Sequence, residues 1–409
     1  MEFETKLLLL IIGLTYIGIA VGEFPPFRSN RTTIALIGVG ALVLAGILKV
    51  DEFLQFIDID TIILLFSMMI INANLRFSGF FQLAAHKVVQ ISKSPKMLLL
   101  SIIFLSSILS AIFLNDTICL ILTPFIIEIT KSLKRNPIPY LIALATAANI
   151  GSVATLTGNP QNMIIGISSK ISYLSFLKAL SPIAIISSIG IWFILVWIYP
   201  NEFKTILFEQ NINKNVKIYK PLFQKSLIII SGLLLAFLFG LPISTAAFIA
   251  ASALLITRRI KPEKVFMEID WGILVFFSSL FILTGVLNES GAITLLFNHW
   301  NISEHLNLTS ITFSSIVLSN LVSNVPAVLL LKPIIAGLAN PTPAWLTLAS
   351  SSTLAGNLTL LGSVANLIVA ESAAHRKVSL TFWEYTRAGI LITIFSFVVH
   401  FIWMNLFIW

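Results

Sequence analysis

The sequence has little charge and almost no cysteine for its length. Only 11% of the 409 residues are Asp, Glu, Lys or Arg, and Cys119 is the single cysteine. A water-soluble domain carries about 25% charged residues, so this composition excludes an ordinary soluble protein. A lone cysteine excludes an intramolecular disulfide, and the five histidines show no spacing typical of a metal centre.

Long apolar runs are what the sequence has instead. Hydrophobic residues make up 57% of the chain, and its mean hydropathy is +0.96. A helix needs about 20 apolar residues to cross a bilayer, so recurring runs near this length predict an all-α polytopic membrane protein. The first residues, MEFETK, carry two Glu, and we expect no cleavable signal peptide. The clearest runs are 7–22, 33–48, 61–75, 180–199, 226–241 and 388–409.

The basic residues predict how the chain crosses the membrane. With about ten transmembrane helices and two re-entrant hairpins, 21 of the 26 Lys and Arg residues fall on one face. The positive-inside rule identifies that face as the cytoplasmic one. We therefore expect a multi-pass protein of the cell inner (cytoplasmic) membrane with both termini outside. The net charge of +8 then sets the topology, and no nucleic-acid partner is expected.

The two halves of the chain form a weak internal repeat. Gly158 matches Gly362 and Asn162 matches Asn366, both at an offset of 204 residues. Each half has five crossings and one hairpin, so the second half would enter from the opposite side, as in many secondary transporters. The predicted parts are a first repeat at 1–200 with a hairpin at 97–130 and a broken helix at 140–168, a cytoplasmic linker at 201–222, and a second inverted repeat at 223–409 with a hairpin at 310–338 and a broken helix at 343–372.

Polar residues interrupt the apolar segments at four matching places, two at hairpin tips and two inside broken helices. Non-helical backbone survives at membrane depth only against protein or a wet cavity. Helix N-termini attract anions, whereas unwound carbonyls with Asn and Ser/Thr oxygens suit Na⁺. We predict one anion flanked by two cation positions. The candidate substrate- and ion-binding residues are Asn115, Asp116, Thr117, Thr157, Gly158, Asn159, Asn162, Ser323, Asn324, Thr359, Gly362, Ser363 and Asn366, with Na⁺ expected at Asn115, Gly158, Asn324 and Gly362.

The breaks also contain residues that suit helix starts. Asn159 ahead of Pro160 fits an N-cap followed by proline at the first helical position, and Ser363 occupies the matching place. Asn115 or Asp116, and Ser323 or Asn324, could cap the returning arms of the hairpins. Small polar residues in membrane helices can also simply pack between neighbours. Asp116, an intramembrane carboxylate, is a candidate proton carrier or cation ligand, or else a helix cap.

On these residues the chain resembles the ion transporter superfamily, which includes divalent anion/sodium symporters, citrate carriers, ArsB arsenite permeases and NhaD-type antiporters. Dicarboxylate carriers have Ser-Asn-Thr at each hairpin tip, and this chain has degenerate versions of it. The Asn-Asp-Thr tip and the Gly-Asn-Pro turn look closer to the arsenite-permease branch. The segments that carry the resemblance are Asn115-Asp116-Thr117, Ser323-Asn324-Val325, Thr157-Gly158-Asn159-Pro160 and Leu361-Gly362-Ser363. The resemblance implies a homodimer, elevator-like alternating access and, in many members, sodium coupling.

We therefore expect a secondary active transporter that moves a small anion by alternating access, coupled to Na⁺ or H⁺. The alternatives are a cation/proton antiporter or arsenite-type efflux permease, in which Asp116 carries the exchanged ion, and an ion channel, which needs no coupling site. The sequence holds no nucleophile–base set or phosphate loop, so we expect neither an enzyme nor any cofactor besides Na⁺ as a coupling ion. The expected partners are the anion, the lipid bilayer and a second copy of the chain.

Overall fold

The protein is a bundle of α-helices. The structure, a computed structural model, describes residues 2–21, 30–204, 218–256, 260–291 and 307–409, and these contain no β-strand. Within them seven helices are long and apolar enough to cross a membrane, accompanied by shorter apolar helices. The predicted all-α polytopic class is confirmed. The helices, numbered over the described residues, are α1 Glu2–Val21, α2 Arg31–Leu44, α3 Phe53–Phe56, α4 Ile59–Ser78, α5 Phe80–Ile91, α6 Pro95–Ile112, α7 Asn115–Ser132, α8 Pro137–Ser152, α9 Pro160–Ser169, α10 Tyr173–Ile198, α11 Lys220–Leu238, α12 Ile243–Leu255, α13 Pro262–Phe266, α14 Trp271–Glu289, α15 Leu308–Val322, α16 Asn324–Ala336, α17 Thr342–Ala355, α18 Val364–Ala374 and α19 Phe382–Phe407.

The order of helices in the first half recurs in the second. Each half begins with two helices, which are α1 and α2 in the first half and α11 and α12 in the second. A short helix, α3 or α13, and then a long one, α4 or α14, follow them. A hairpin, a broken helix and a 26-residue helix complete each half, as α6–α7, α8–α9 and α10 or as α15–α16, α17–α18 and α19. Helix α5 was not predicted from the sequence. Most of the predicted linker, residues 205–217, lies outside the described residues, and the inverted orientation of the halves stays a prediction.

The hairpin tips are short turns without side-chain caps. Helix α7 follows Leu114 and α16 follows Ser323, and neither residue makes a side-chain capping bond. Capping of the returning arms by the tip residues is therefore wrong, and the Asn115 side chain donates to Asn149 instead. Ser323 has a φ of 79°, a backbone conformation that non-glycine residues rarely adopt. Such strain is typical of turns that the surrounding structure holds in place.

The broken helices restart at the predicted caps. Asn159 accepts a hydrogen bond from the backbone N–H of Asn162 at 2.8 Å, and Pro160 is the first residue of α9. Ser363 caps α18 in the same position of the second half, accepting from the N–H of Ala365. Proline suits this position because the first backbone N–H of a helix has no intrahelical partner. The two restarts place helix N-termini inside the bundle.

Close packing of α6 against α8 makes Gly151 a sensitive position. A Cβ there would lie 2.2 Å from the backbone oxygen of Ser107, so only a shift of a helix could accommodate it. We expect Gly151→Ala to lower the free energy of unfolding by about 1–3 kcal/mol or more. Thermal unfolding of the protein in detergent measures this. Gly232→Ala is the control, because a Cβ there meets nothing within 4 Å, and alanine favours a helix. Equal losses in both variants would contradict the expectation.

Candidate functional site

The two broken helices are closed by equivalent hydrogen bonds. Asn162 and Asn366, which are 204 residues apart, each donate from Nδ2 to the carbonyl oxygens ten and seven residues earlier in the chain. The four distances lie between 2.8 and 3.1 Å. Both amide groups are fully buried. Each asparagine thus satisfies carbonyl groups that the interrupted helix leaves free, which is how non-helical backbone is tolerated at membrane depth.

Contacts between the two breaks are reciprocal. Asn159 Nδ2 donates to Thr353 Oγ1 at 3.3 Å, and Ser363 Oγ donates to Asn149 Oδ1 at 3.1 Å. Asn159 corresponds to Ser363, and Asn149 corresponds to Thr353, each at an offset of 204 residues. The same surface of each half therefore meets its counterpart in the other half, which is the arrangement produced by a two-fold axis.

Asn149 is the centre of this polar cluster. Its Oδ1 accepts from Asn115 Nδ2 at 3.0 Å, and its Nδ2 donates to Asn357 Oδ1 at 2.8 Å and to Asn366 Oδ1 at 3.0 Å. The Asn149 side chain is 1% exposed. Neither Asn149 nor Asn357 was predicted from the sequence as a site residue. The one signal for Asn149 was its offset of 204 from Thr353, a polar residue in the matching turn of α17.

A cavity of about 80 Å³, here called the tip cavity, lies between the two hairpin tips. The starts of four helices, α7, α9, α16 and α18, form most of its wall, and α14 closes it. The first N–H groups of a helix lack intrahelical partners and carry positive partial charge, so such a cavity attracts an anion. Its lining residues are Asn115, Asp116, Pro160, Gln161, Ile273, Phe276, Phe277, Ser323, Asn324, Val325, Ser363 and Val364.

Buried oxygens beside each tip have no hydrogen-bond partner. They are Asn115 Oδ1 and Ser110 Oγ in the first half, and Asn324 Oδ1 and Ser319 Oγ in the second. Asn115 and Asn324 are 209 residues apart, and so are Ser110 and Ser319. The unpartnered oxygens therefore occupy equivalent positions in the two halves. Leaving a buried acceptor unpaired costs about 1–3 kcal/mol, so a bound cation or hydrogen-bond donor at these matched positions would be stabilising. The two serines were missed by the sequence analysis, since a single serine in an apolar helix gives no distinct pattern.

The predicted Na⁺ glycines lie close to the two hairpins. The backbone N–H of Asn115 donates to Gly158 O at 3.0 Å, which ties the first tip to the first break. A Cβ at Gly158 would lie 2.8 Å from the backbone oxygen of Ser110, and one at Gly362 would lie 3.2 Å from Asn320 Oδ1. At Gly158 a side chain would clash with backbone, so only glycine permits this approach of the first break to the first hairpin. Asn320 Oδ1 also has no hydrogen-bond partner.

Eight of the thirteen predicted residues do not line the tip cavity, and they are Thr117, Thr157, Gly158, Asn159, Asn162, Thr359, Gly362 and Asn366. Thr157 lies 3.5 Å from the hydroxyl of Tyr173, near the start of α10. Thr359 contributes its carbonyl oxygen to Asn366. Thr117 faces α4, where its Oγ1 accepts a hydrogen bond from Asn72 Nδ2 at 3.3 Å.

A second cavity of about 120 Å³, here called the acidic cavity, adjoins the tip cavity and shares Asp116, Pro160 and Ile273 with it. It lies between α4, α7 and the residues ahead of α14. Asn72, Asp116 and Thr117 line it, together with the more exposed Glu268 and Asp270. Arg76, which also lines it, forms an ion pair with Glu268.

Hairpins and broken helices that meet at a buried polar centre in a multi-pass membrane protein define a membrane transporter or permease. This class agrees with the sequence comparisons. Residues 7–350 match the citrate transporter family, to which the chain belongs.

Similar proteins from distant organisms match nearly the whole chain. The silicon efflux transporter LSI3 of Oryza sativa subsp. japonica is 31% identical over 91% of this chain and 92% of its own length. A transporter named arsB from Dictyostelium discoideum is 29% identical over 89% of this chain and 85% of its own. A 46 kDa membrane protein of Mycobacterium leprae is 28% identical, with 94% and 96% covered.

Proposed function

We propose that the protein is a secondary active transporter that moves a small anion across the cytoplasmic membrane by alternating access, coupled to Na⁺ or H⁺. The convergence of four helix N-termini on the tip cavity carries this proposal, because the positive ends of their dipoles favour an anion. The small volume of the cavity favours a compact substrate. The name of the LSI3 relative, a silicon efflux transporter, supports an inorganic oxyacid or its anion.

Two Na⁺ positions beside the tips would supply the coupling. The unpartnered oxygens of Asn115 and Ser110, with the carbonyl of Gly158, form one candidate set, and those of Asn324 and Ser319 with Gly362 form the other. All are neutral oxygens, which hard cations such as Na⁺ accept as ligands. A bound cation at each tip would offset the charge of an anion between them.

A second candidate function is a cation/proton antiporter or arsenite-type efflux permease. The observation that favours it is the position of Asp116, which lines both cavities. Intramembrane carboxylates commonly carry the exchanged proton or cation in transporters. In the second candidate the proton or cation bound at Asp116 is one of the two exchanged species. In the first candidate the cations at the tips drive the transport of the anion.

Transport by protein reconstituted in lipid vesicles tests the proposal. Citrate, arsenite and silicic acid are the probes, with an Na⁺ gradient, a pH gradient or neither imposed. Uphill movement of an anionic probe in the same direction as an Na⁺ or H⁺ gradient supports the first candidate. Uphill efflux of arsenite, or of a cation, in exchange for entering protons supports the second. Equal fluxes with and without any gradient would contradict coupled transport and indicate a channel.

Sodium is expected to stabilise the purified protein. A ligand at about 100 times its dissociation constant adds about 2.7 kcal/mol to the free energy of unfolding. Replacing choline by Na⁺ at fixed ionic strength should therefore raise the melting temperature in a saturable way. Asn115→Ala should weaken this response, whereas Asn405→Ala, at an exposed residue of α19, should keep it. The absence of any response to Na⁺ in the wild type would contradict the tip cation positions.

A further inference from the structure

We propose that Gln161 is a substrate-binding residue, which accepts a hydrogen bond from an O–H group of the transported oxyacid or of its partly protonated anion. The inference deepens the proposed function and rests on it for transport through the tip cavity. Gln161 was not predicted from the sequence as a site residue. Its side chain selects a substrate that carries at least one O–H group over oxyanions that carry none.

Gln161 is the second residue of α9 and lies in the wall of the tip cavity. It is 3% exposed, so its polar atoms must find partners within the protein or in a molecule that occupies the cavity. The next residue, Asn162, matches Asn366, so the residue that corresponds to Gln161 in the second half is Ala365. The two halves therefore differ here, and only the first has an amide at this position.

The hydrogen bonds of Thr353 fix the orientation of the Gln161 amide. Thr353 Oγ1 donates its hydrogen to Ala349 O at 2.9 Å, so towards other partners it can only accept. It accepts from Gln161 Nε2 at 3.1 Å and from Asn159 Nδ2 at 3.3 Å. The reversed amide would place two acceptor oxygens against each other. The hydrogen bonds of the described residues leave Gln161 Oε1 without a donor, so Oε1 remains as the acceptor for a molecule in the cavity.

Other polar side chains of the tip cavity are acceptors as well. Asn115 Oδ1 and Asn324 Oδ1 are buried without a partner, and Ser363 donates its hydroxyl hydrogen to Asn149. The one ionisable side chain among the described lining residues is that of Asp116, a carboxyl group and not a cation. The helix N-termini favour negatively polarised oxygens, whereas the acceptors need hydrogen donors. A molecule with both kinds of group satisfies the cavity, and a fully deprotonated oxyanion satisfies only the helix ends.

Such a site discriminates by leaving a buried group unpaired. A site built to hydrogen-bond a substrate O–H disfavours an analogue that lacks it, because the acceptor of the protein then has no partner. Gln161 Oε1 is held in place by the bond from Nε2 to Thr353, so it cannot turn away without losing that bond as well. We therefore expect the preference to depend on the oxygen of Gln161.

Thermal stabilisation of the purified protein in saturating NaCl tests this contact. Arsenous acid, silicic acid and hydrogen phosphate are the probes with an O–H group, and sulfate and nitrate are the probes without one. At least one probe of the first set should raise the melting temperature at lower concentrations than sulfate or nitrate does. Gln161→Met, which keeps a side chain of similar volume without the amide, should raise the half-maximal concentration of that probe roughly 3- to 10-fold. Gln90→Met, the same change at an exposed residue of α5, should leave it unchanged.

Transport in vesicles separates substrate binding from a structural role. Gln161→Met should raise the KM for the same probe and leave kcat near the wild-type value, because the lost hydrogen bond is made to bound substrate throughout. The stabilisation by Na⁺ should also be kept, since the tip cations have other ligands. Equal losses of kcat and of the Na⁺ response would mean that Gln161 only supports the fold, and would contradict the contact.

The comparison of the two probe sets in wild-type protein needs no variant to fold. Binding of sulfate or nitrate more tightly than every O–H-bearing probe would overturn the inference, as would wild-type affinity in Gln161→Met or no stabilisation by any of the three O–H-bearing probes. Binding that depends on Gln161 without gradient-driven flux would leave the contact standing and contradict the proposed function. Gradient-driven flux with the same KM in wild type and Gln161→Met would do the opposite.

Discussion

Asn115→Ala and Asn324→Ala are each expected to reduce coupled transport by roughly 30-fold or more, the equivalent of about 2 kcal/mol. Each change removes an unpartnered oxygen at a tip, which is a proposed Na⁺ ligand. Asn115→Ala also removes the bond from Nδ2 to Asn149 that links the first hairpin to the first broken helix. Initial rates of Na⁺-driven flux in vesicles, at equal amounts of inserted protein, measure the effect.

The result is informative only if the variants fold. Monodispersity in detergent and a melting temperature near that of wild type in choline would show this for both tip variants. Asn405→Ala, at an exposed position of α19, should transport as the wild type does. Wild-type flux in both tip variants would contradict the site between the hairpins.

Asn149→Leu is expected to cause the largest loss of stability. The substitution leaves Asn115 Nδ2 and Ser363 Oγ without their acceptor, and Asn357 Oδ1 and Asn366 Oδ1 without their donor. Each buried polar group left unpaired costs about 1–3 kcal/mol, so the combined loss should reach at least about 3 kcal/mol. Thermal unfolding in detergent and the yield of folded protein measure it.

Asn74→Leu provides the comparison for Asn149→Leu. Asn74 is equally buried, but the hydrogen bond of its side chain runs to Ile70 O within the same helix. Its loss should cost much less, because no contact between the halves depends on it. Similar losses of stability in the two variants would mean that Asn149 does not join the halves energetically.

Local signals in the sequence correspond to helix pairs and helix interruptions in the structure, and the re-entry of these pairs into the membrane stays a prediction. The hairpin expected at 97–130 is formed by helices that span Pro95–Ser132, and the second, expected at 310–338, spans Leu308–Ala336. Apolar length, proline and the Asn159-Pro160 cap act within a few residues of one another, so the order of residues along the chain reveals them. The same holds for the cap at Ser363.

The polar centre could not be predicted in the same way. Asn149 looks like any polar residue that packs in a membrane helix, and its role depends on partners 208 and 217 residues away. The side chain of Asn115 had two ways to be satisfied, by capping α7 or by bonding across to Asn149, and the fold selects the second. Asn72 gave no signal either, because its partner Thr117 belongs to another helix.

The reciprocal bonds between Asn159 and Thr353 and between Ser363 and Asn149 bear on how the chain arose. An isologous contact of this kind is the interface that two identical subunits make across a two-fold axis. A half-length ancestor that paired with itself would have made both bonds with one pair of residues. Duplication and fusion would then have freed each copy to diverge, so that an amide in one half faces a hydroxyl in the other. On this origin, the interior of the present protein would retain the interface of that ancestral homodimer.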